Sequence, residues 1–119
     1  MKRGLLIVFV FAFIVTLCIV SLADAEISIK DYDEVKNAEW FKIYINGVGI
    51  GITWANIAVT DKGQPLYCPP KKLALGAEDY LRIVQDSIEK NKTLKEKMPT
   101  YPIEILLLRG LIEKFPCKN

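Results

Sequence analysis

The sequence predicts a small all-α domain of three to four helices, set behind an N-terminal signal peptide and stapled by one disulfide. Three observations carry that reading. Apolar residues recur at helical spacing in three separate stretches of the 119-residue chain. No run shows a convincing strand pattern, and two cysteines in proline-marked stretches flank the last two helical segments.

Residues 1–25 read as a secretory signal. Met1-Lys2-Arg3 is the basic start, Leu5 to Leu22 is apolar, and Ala23-Asp24-Ala25 forms an A-x-A cleavage site before Glu26. The apolar stretch also reaches the length of a membrane-spanning candidate, so an uncleaved anchor is the alternative. Leu17, directly before Cys18, is too bulky for a lipoprotein signal. The domain boundaries are therefore 1–25 for the signal peptide and 26–119 for the helical domain, with no stable membrane span once the signal is cleaved.

The mature chain opens with Glu26 to Lys30, too brief for any assignment from its Ile27/Ile29 alternation. Ser28 or Asp31 is placed to cap the first helix, and Asp31, Asp33 and Glu34 lie at the positive end of its dipole. That helix is predicted from about Asp33 to Val59. Phe41, Ile45, Val48, Ile52, Ala55 and Val59 fall on one face, with Trp40, Gly47, Gly51, Trp54 and Ala58 as a second row beside it. A helix apolar over so wide a face must be covered by its own domain or by another subunit. Gly47, Gly49 and Gly51 each cost a helix interior about 1 kcal/mol relative to alanine. Gly47 and Gly51 share a face that admits a close backbone, so these two and Trp54 are the candidate packing or dimer-interface residues. Gly-Val-Gly-Ile-Gly superficially resembles a phosphate loop. It lacks both the Lys-Ser/Thr of a P-loop and the strand-turn-helix setting of a dinucleotide site.

Asp61 to Pro65 is a turn, with Gly63 as helix stop and Pro65 beyond it. Cys68-Pro69-Pro70 is held extended, because a residue before proline is driven out of helical geometry. The second helix is predicted over Ala77–Lys90, with Ala77, Leu81, Val84 and Ile88 in register, Glu78 and Asp79 in its first turn and Lys90 in its last. Asn91 to Met98 reads as a basic, polar connection. The third helix opens at Thr100 or Tyr101 with Pro102 in its first position. Ile103, Leu106, Leu107, Gly110, Leu111 and Phe115 form its apolar face, and Pro116 ends it.

Composition narrows the function. The chain has no histidine, which removes the commonest general base and the commonest metal ligand. No nucleophile motif appears, and no metal-ligand spacing is recognisable, so no enzyme, no cofactor and no metal are expected. The formal charge is +2; losing Lys2, Arg3 and Asp24 with the leader leaves 14 basic and 13 acidic residues, a net of +1. Scattered, balanced charge argues against nucleic acid. Without the leader two cysteines remain, Cys68 and Cys117, and in an oxidising compartment they pair with each other unless the bond is intermolecular. The loop so closed is worth about 4 kcal/mol in the chain-entropy account.

One ordered set of features resembles a known family. Tyr44-Ile45-Asn46-Gly47-Val48-Gly49 is followed by Trp54-Ala55-Asn56, then Tyr67-Cys68-Pro69-Pro70 before a helix, and finally Phe115-Pro116-Cys117. In this the chain is similar to the Rap/Tai immunity proteins, small periplasmic helical proteins that neutralise peptidoglycan amidase effectors of type VI secretion. The likeness spans roughly residues 33–117. It implies periplasmic localisation, a Cys68–Cys117 disulfide of the family's type, a homodimer, and a secreted cell-wall amidase as partner. Tyr67, Pro69 and Pro70 would support the disulfide. The chain departs from many members in having no further cysteine within residues 26–60.

Two functions are expected on these grounds. The first is an immunity protein that occludes the active-site cleft of an amidase through a few buried anchors. The second is a periplasmic structural or chaperone-like protein that holds unfolded chains on its apolar first helix.

Overall fold

The computed structural model describes residues 1–19 and 26–118. The expected cleavage site at Ala23-Asp24-Ala25 lies outside them. The described residues form six helices: α1 (Lys2–Ile19), α2 (Ile29–Val35), α3 (Glu39–Thr60), α4 (Ala77–Lys90), α5 (Lys92–Lys97) and α6 (Ile103–Lys114). They include no strand, only an isolated antiparallel bridge between Ser28 and Pro102. The all-α class holds. α1 covers most of the apolar N-terminal stretch and exposes Phe9, Phe11 and Phe13 to solvent.

Five helices come after α1, against three to four expected, and each addition has a local cause. The long first helix is divided at Lys36–Ala38. Lys36 caps α2 by donating to the Tyr32 carbonyl at 2.9 Å, Ala38 donates to Val35 at 2.8 Å, and Ala38 then starts α3 in extended geometry. The break lets α2 lay Ile29 and Tyr32 into the core, which a straight helix would carry past it. Ser28 is the cap of α2. The Asp31 carboxylate accepts from both the Ser28 N–H (3.2 Å) and the Ser28 hydroxyl (2.5 Å), and these bonds hold its carboxyl below the usual aspartate range. The polar connection after α4 winds into α5. Apolar periodicity could not reveal α5, because none of its residues is buried.

α4 packs against both α3 and α6, and α3 touches α6 at its edge. The core between them contains Phe41 and Ile45 of α3, Tyr80, Ile83 and Val84 of α4, and Ile103, Leu107 and Leu111 of α6, joined by Tyr32 and Tyr67. The third helix buries the face read from its spacing, one residue later at its start: Pro102 is the cap and Ile103 the first helical residue. α4 keeps its expected bounds but turns its buried row to Tyr80, Ile83, Val84 and Ser87, leaving Leu81 and Ile88 half-buried.

Two glycines set the helix spacing. A Cβ at Gly49 would lie under 3.0 Å from the Tyr80 ring, and one at Gly110 would meet Ile83 and Ser87 equally closely. Each therefore admits a neighbouring helix that any side chain would push away. The N-terminal segment is tied to the α6 entrance by backbone bonds: Ile29 donates to Tyr101 (3.0 Å), Lys30 to Pro99 (3.1 Å) and Ile103 to Ile27 (3.1 Å).

Candidate docking face

The buried side of α3 is set by Phe41, Ile45, Gly49 and Asn56. At 3.6 residues per turn the opposite side carries Trp40, Ile43, Gly47, Ile50, Trp54 and Ile57. All six are exposed, Ile43 by 70% and Trp54 by 66%. Between Lys42 and Asp61 the helix has no charged residue. By length and composition alone α3 could cross a membrane. In the fold α4 packs along it and α6 meets it only at its edge, with one side spent on the core.

Gly47 and Gly51 have nothing within 4 Å of a Cβ built on them, so within one protomer neither serves helix packing. The close approach assigned to that pair by spacing falls instead to Gly49, on the inward side. The hydrophobic row could not separate the two rows of glycine, since both contain apolar neighbours. Trp54 is not a core residue either. It forms the rim of an apolar groove of about 250 Å³, whose other wall is the loop after α3 (Pro69, Leu73, Leu75) and whose floor is Tyr67, Tyr80 and Thr53.

That loop is fixed by two devices. Cys68 and Cys117 form a disulfide with Cα atoms 4.9 Å apart, across a sequence separation of 49, and the Cys68 N–H donates to the Phe115 carbonyl at 2.8 Å. Tyr67 is buried and sits 6.5 Å from the Phe115 ring, Pro69 lines the groove, and the exposed Pro70 accepts from Leu73 N–H at 2.9 Å. The second device is Asn56. From the buried side of α3 its Oδ1 accepts from Leu66 N–H (2.7 Å) and Tyr67 N–H (3.2 Å), while its Nδ2 donates to the Tyr67 carbonyl (2.9 Å). One amide thus takes the place of a strand partner for an extended segment that has none. An asparagine late in an apolar helix was the available signal, since a polar residue there needs a buried partner.

A larger hollow between α2, α3 and α4, of about 350 Å³, is polar, and its cations are already engaged. Lys36 pairs with Asp33 (3.0 Å), Lys42 with Glu78 (2.9 Å) and Arg82 with Asp79 (3.2 Å). Of the acidic residues expected at the helix start only Asp31 lies in the first turn of α2; Asp33, in its second half, is likewise engaged, its carboxyl held down in pKa chiefly by Lys95, then by Lys36. Tyr44 donates to Glu104, and burial with that carboxylate pushes its phenol well up. Among the described residues no group of three or more His, Cys, Asp or Glu side chains is placed to hold a metal ion. No protein-family model matches the chain, and comparison with curated proteins and with solved structures gives no match either.

Proposed function

We propose that the chain is an exported binding protein of the amidase-immunity type, which docks on its target and does no chemistry of its own. The observation that carries the reading is the uncovered side of α3, a charge-free strip bearing Trp40, Ile43, Ile50, Trp54 and Ile57 on a scaffold cross-linked behind it. Covering these side chains would supply on the order of 5 kcal/mol, whereas an exposed ion pair contributes about 0–1 kcal/mol. The apolar strip therefore dominates any affinity this surface can have. The absence of histidine and the engagement of both mature cysteines in one bond support binding over catalysis. The disulfide is compatible with an oxidising compartment, and with the signal-like leader it supports the periplasm.

The immunity reading rests on the resemblance carried by Tyr44 to Gly49, Trp54 to Asn56, Tyr67 to Pro70 and Phe115 to Cys117. Its mechanism is steric: a rigid apolar ridge enters the amidase cleft and excludes the substrate. The homodimer the resemblance implies would compete with the amidase for this strip if it used Gly47 and Gly51, which have open space around them on the same side of α3. The test is coexpression with any cell-wall amidase found encoded beside this gene, delivered to the periplasm. Protection, lost on Ile43→Asp, is expected. Lysis at the rate of unprotected cells would overturn the reading. The chaperone-like alternative is favoured by the same exposed strip, and would show as suppressed aggregation of many unrelated clients.

A further inference from the structure

The groove beside Trp54 has a chemistry that the strip as a whole does not. Its walls are apolar: Ile50, Trp54 and Ile57 from α3 face Pro69, Leu73 and Leu75 from the loop. Its floor carries three hydroxyls. Thr53 donates its one proton to the Gly49 carbonyl (2.9 Å). The Tyr67 and Tyr80 hydroxyls lie 3.3 Å and 3.4 Å from Thr53 Oγ1, so the proton in each of those contacts must come from the tyrosine. Both contacts are long for O–H···O bonds. Each tyrosine oxygen keeps lone pairs and both side chains line the groove, so the floor carries acceptor oxygens.

Size and charge narrow the occupant further. About 250 Å³ is below the range of ~300–1,000 Å³ typical for a drug-sized ligand, and suits one large side chain of a protein partner. On the same loop, between the lining residues Pro69 and Leu73, stand Lys71 and Lys72, both exposed and without an ion-pair partner among the described residues. At about 100° per residue, Gly47 stands only about 20° and Gly51 about 60° from Trp54 around α3, so a second copy seated over the two glycines would compete for this rim.

We propose that this groove is the socket for a single aromatic anchor with a donor tip, a tyrosine or tryptophan, carried on an acidic loop of the partner protein. The anchor ring would lie between Trp54 and Leu73, its donor would reach the tyrosine oxygens of the floor, and its acidic neighbours would pair with Lys71 and Lys72. This deepens the binding role proposed above by naming the partner's chemistry, yet its test needs no amidase, so either can fail alone.

The experiment is a nitrogen-15 NMR titration of the oxidised protein, purified from the envelope of the expressing cell, with acetylated and amidated tripeptides. Asp-Tyr-Asp should shift Thr53, Leu73 and the Trp54 indole N–H, with a dissociation constant on the order of 1 mM for so few atoms. The Lys71→Glu/Lys72→Glu protein should bind it about fivefold more weakly. Asp-Phe-Asp, which has no donor, should bind more weakly, and Asp-Ala-Asp should shift nothing in the groove. Equal binding of Lys-Tyr-Lys or of Asp-Ala-Asp would overturn the proposal, as would an absence of groove shifts with Asp-Tyr-Asp. Concentration-dependent groove shifts without peptide would overturn it too, because a second copy would then be the occupant.

Discussion

Replacing Asn56 by alanine removes one side chain from α3 and three hydrogen bonds from the loop that carries Cys68. Those bonds do not weigh equally. Leu66 is 43% exposed, so water can replace the partner of its N–H. Tyr67 is 1% exposed, and its N–H and carbonyl would both be stranded. At about 1–3 kcal/mol for each buried orphan, less about 0.7 kcal/mol regained because alanine suits a helix better, the net loss is about 3 kcal/mol. For a domain of this size that lowers the unfolding midpoint by ~15 °C. The assay is urea unfolding of the oxidised protein, with Asn46→Ala as reference. Asn46 lies on the same helix and is only half-buried, so its replacement should be neutral or slightly stabilising. A loss below ~1 kcal/mol for Asn56→Ala, or an equal loss for Asn46→Ala, would refute the claim that this amide stands in for a strand partner.

Cutting the staple with Cys68→Ser/Cys117→Ser should cost about 4 kcal/mol in the chain-entropy account, read as the gap between its urea midpoint and that of the oxidised protein. The glycines should divide by neighbour: Gly51→Ala should stabilise by about 1 kcal/mol, having open space around it. Gly110→Ala should destabilise by ~1–3 kcal/mol as an overpacked contact, because the new methyl would press on Ser87 and on the Ile83 side chain and carbonyl; thermal unfolding of the two variants checks the sign. Asp31 and Asp33 titrate below the ordinary value of 3.8, Asp31 chiefly through the Ser28 hydroxyl and Asp33 chiefly through Lys95. Their folded values lie below their unfolded ones, so their contribution is complete above about pH 4 and is lost as pH falls through the folded values. Urea midpoints measured down the acid range should fall less steeply for Asp31→Asn and Asp33→Asn than for the parent chain.

The features legible in the chain by itself are those that repeat or punctuate. The face of α6 follows from Ile103, Leu106, Leu107, Gly110 and Leu111, and the bounds of α4 follow from its charged ends. The stop after α3 follows from Gly63, whose φ of +78° suits a residue without Cβ. Cys68, Cys117 and the Ser28 cap belong to the same class, because each is recognised from residue type and near neighbours. Tertiary structure decided which side of a helix apolar nearly all round would be spent on the core. Periodicity fixes the spacing of a row but not which of two adjacent rows meets α4. The contact of Gly49 with Tyr80 settles it, and that pair lies 31 positions apart in the chain. The same choice sent Trp54, Gly47 and Gly51 outward and turned Asn56 inward to hold Tyr67. The exposed apolar side of α3 is the surface left over when the core has taken its share, so it exists only once the helices have packed.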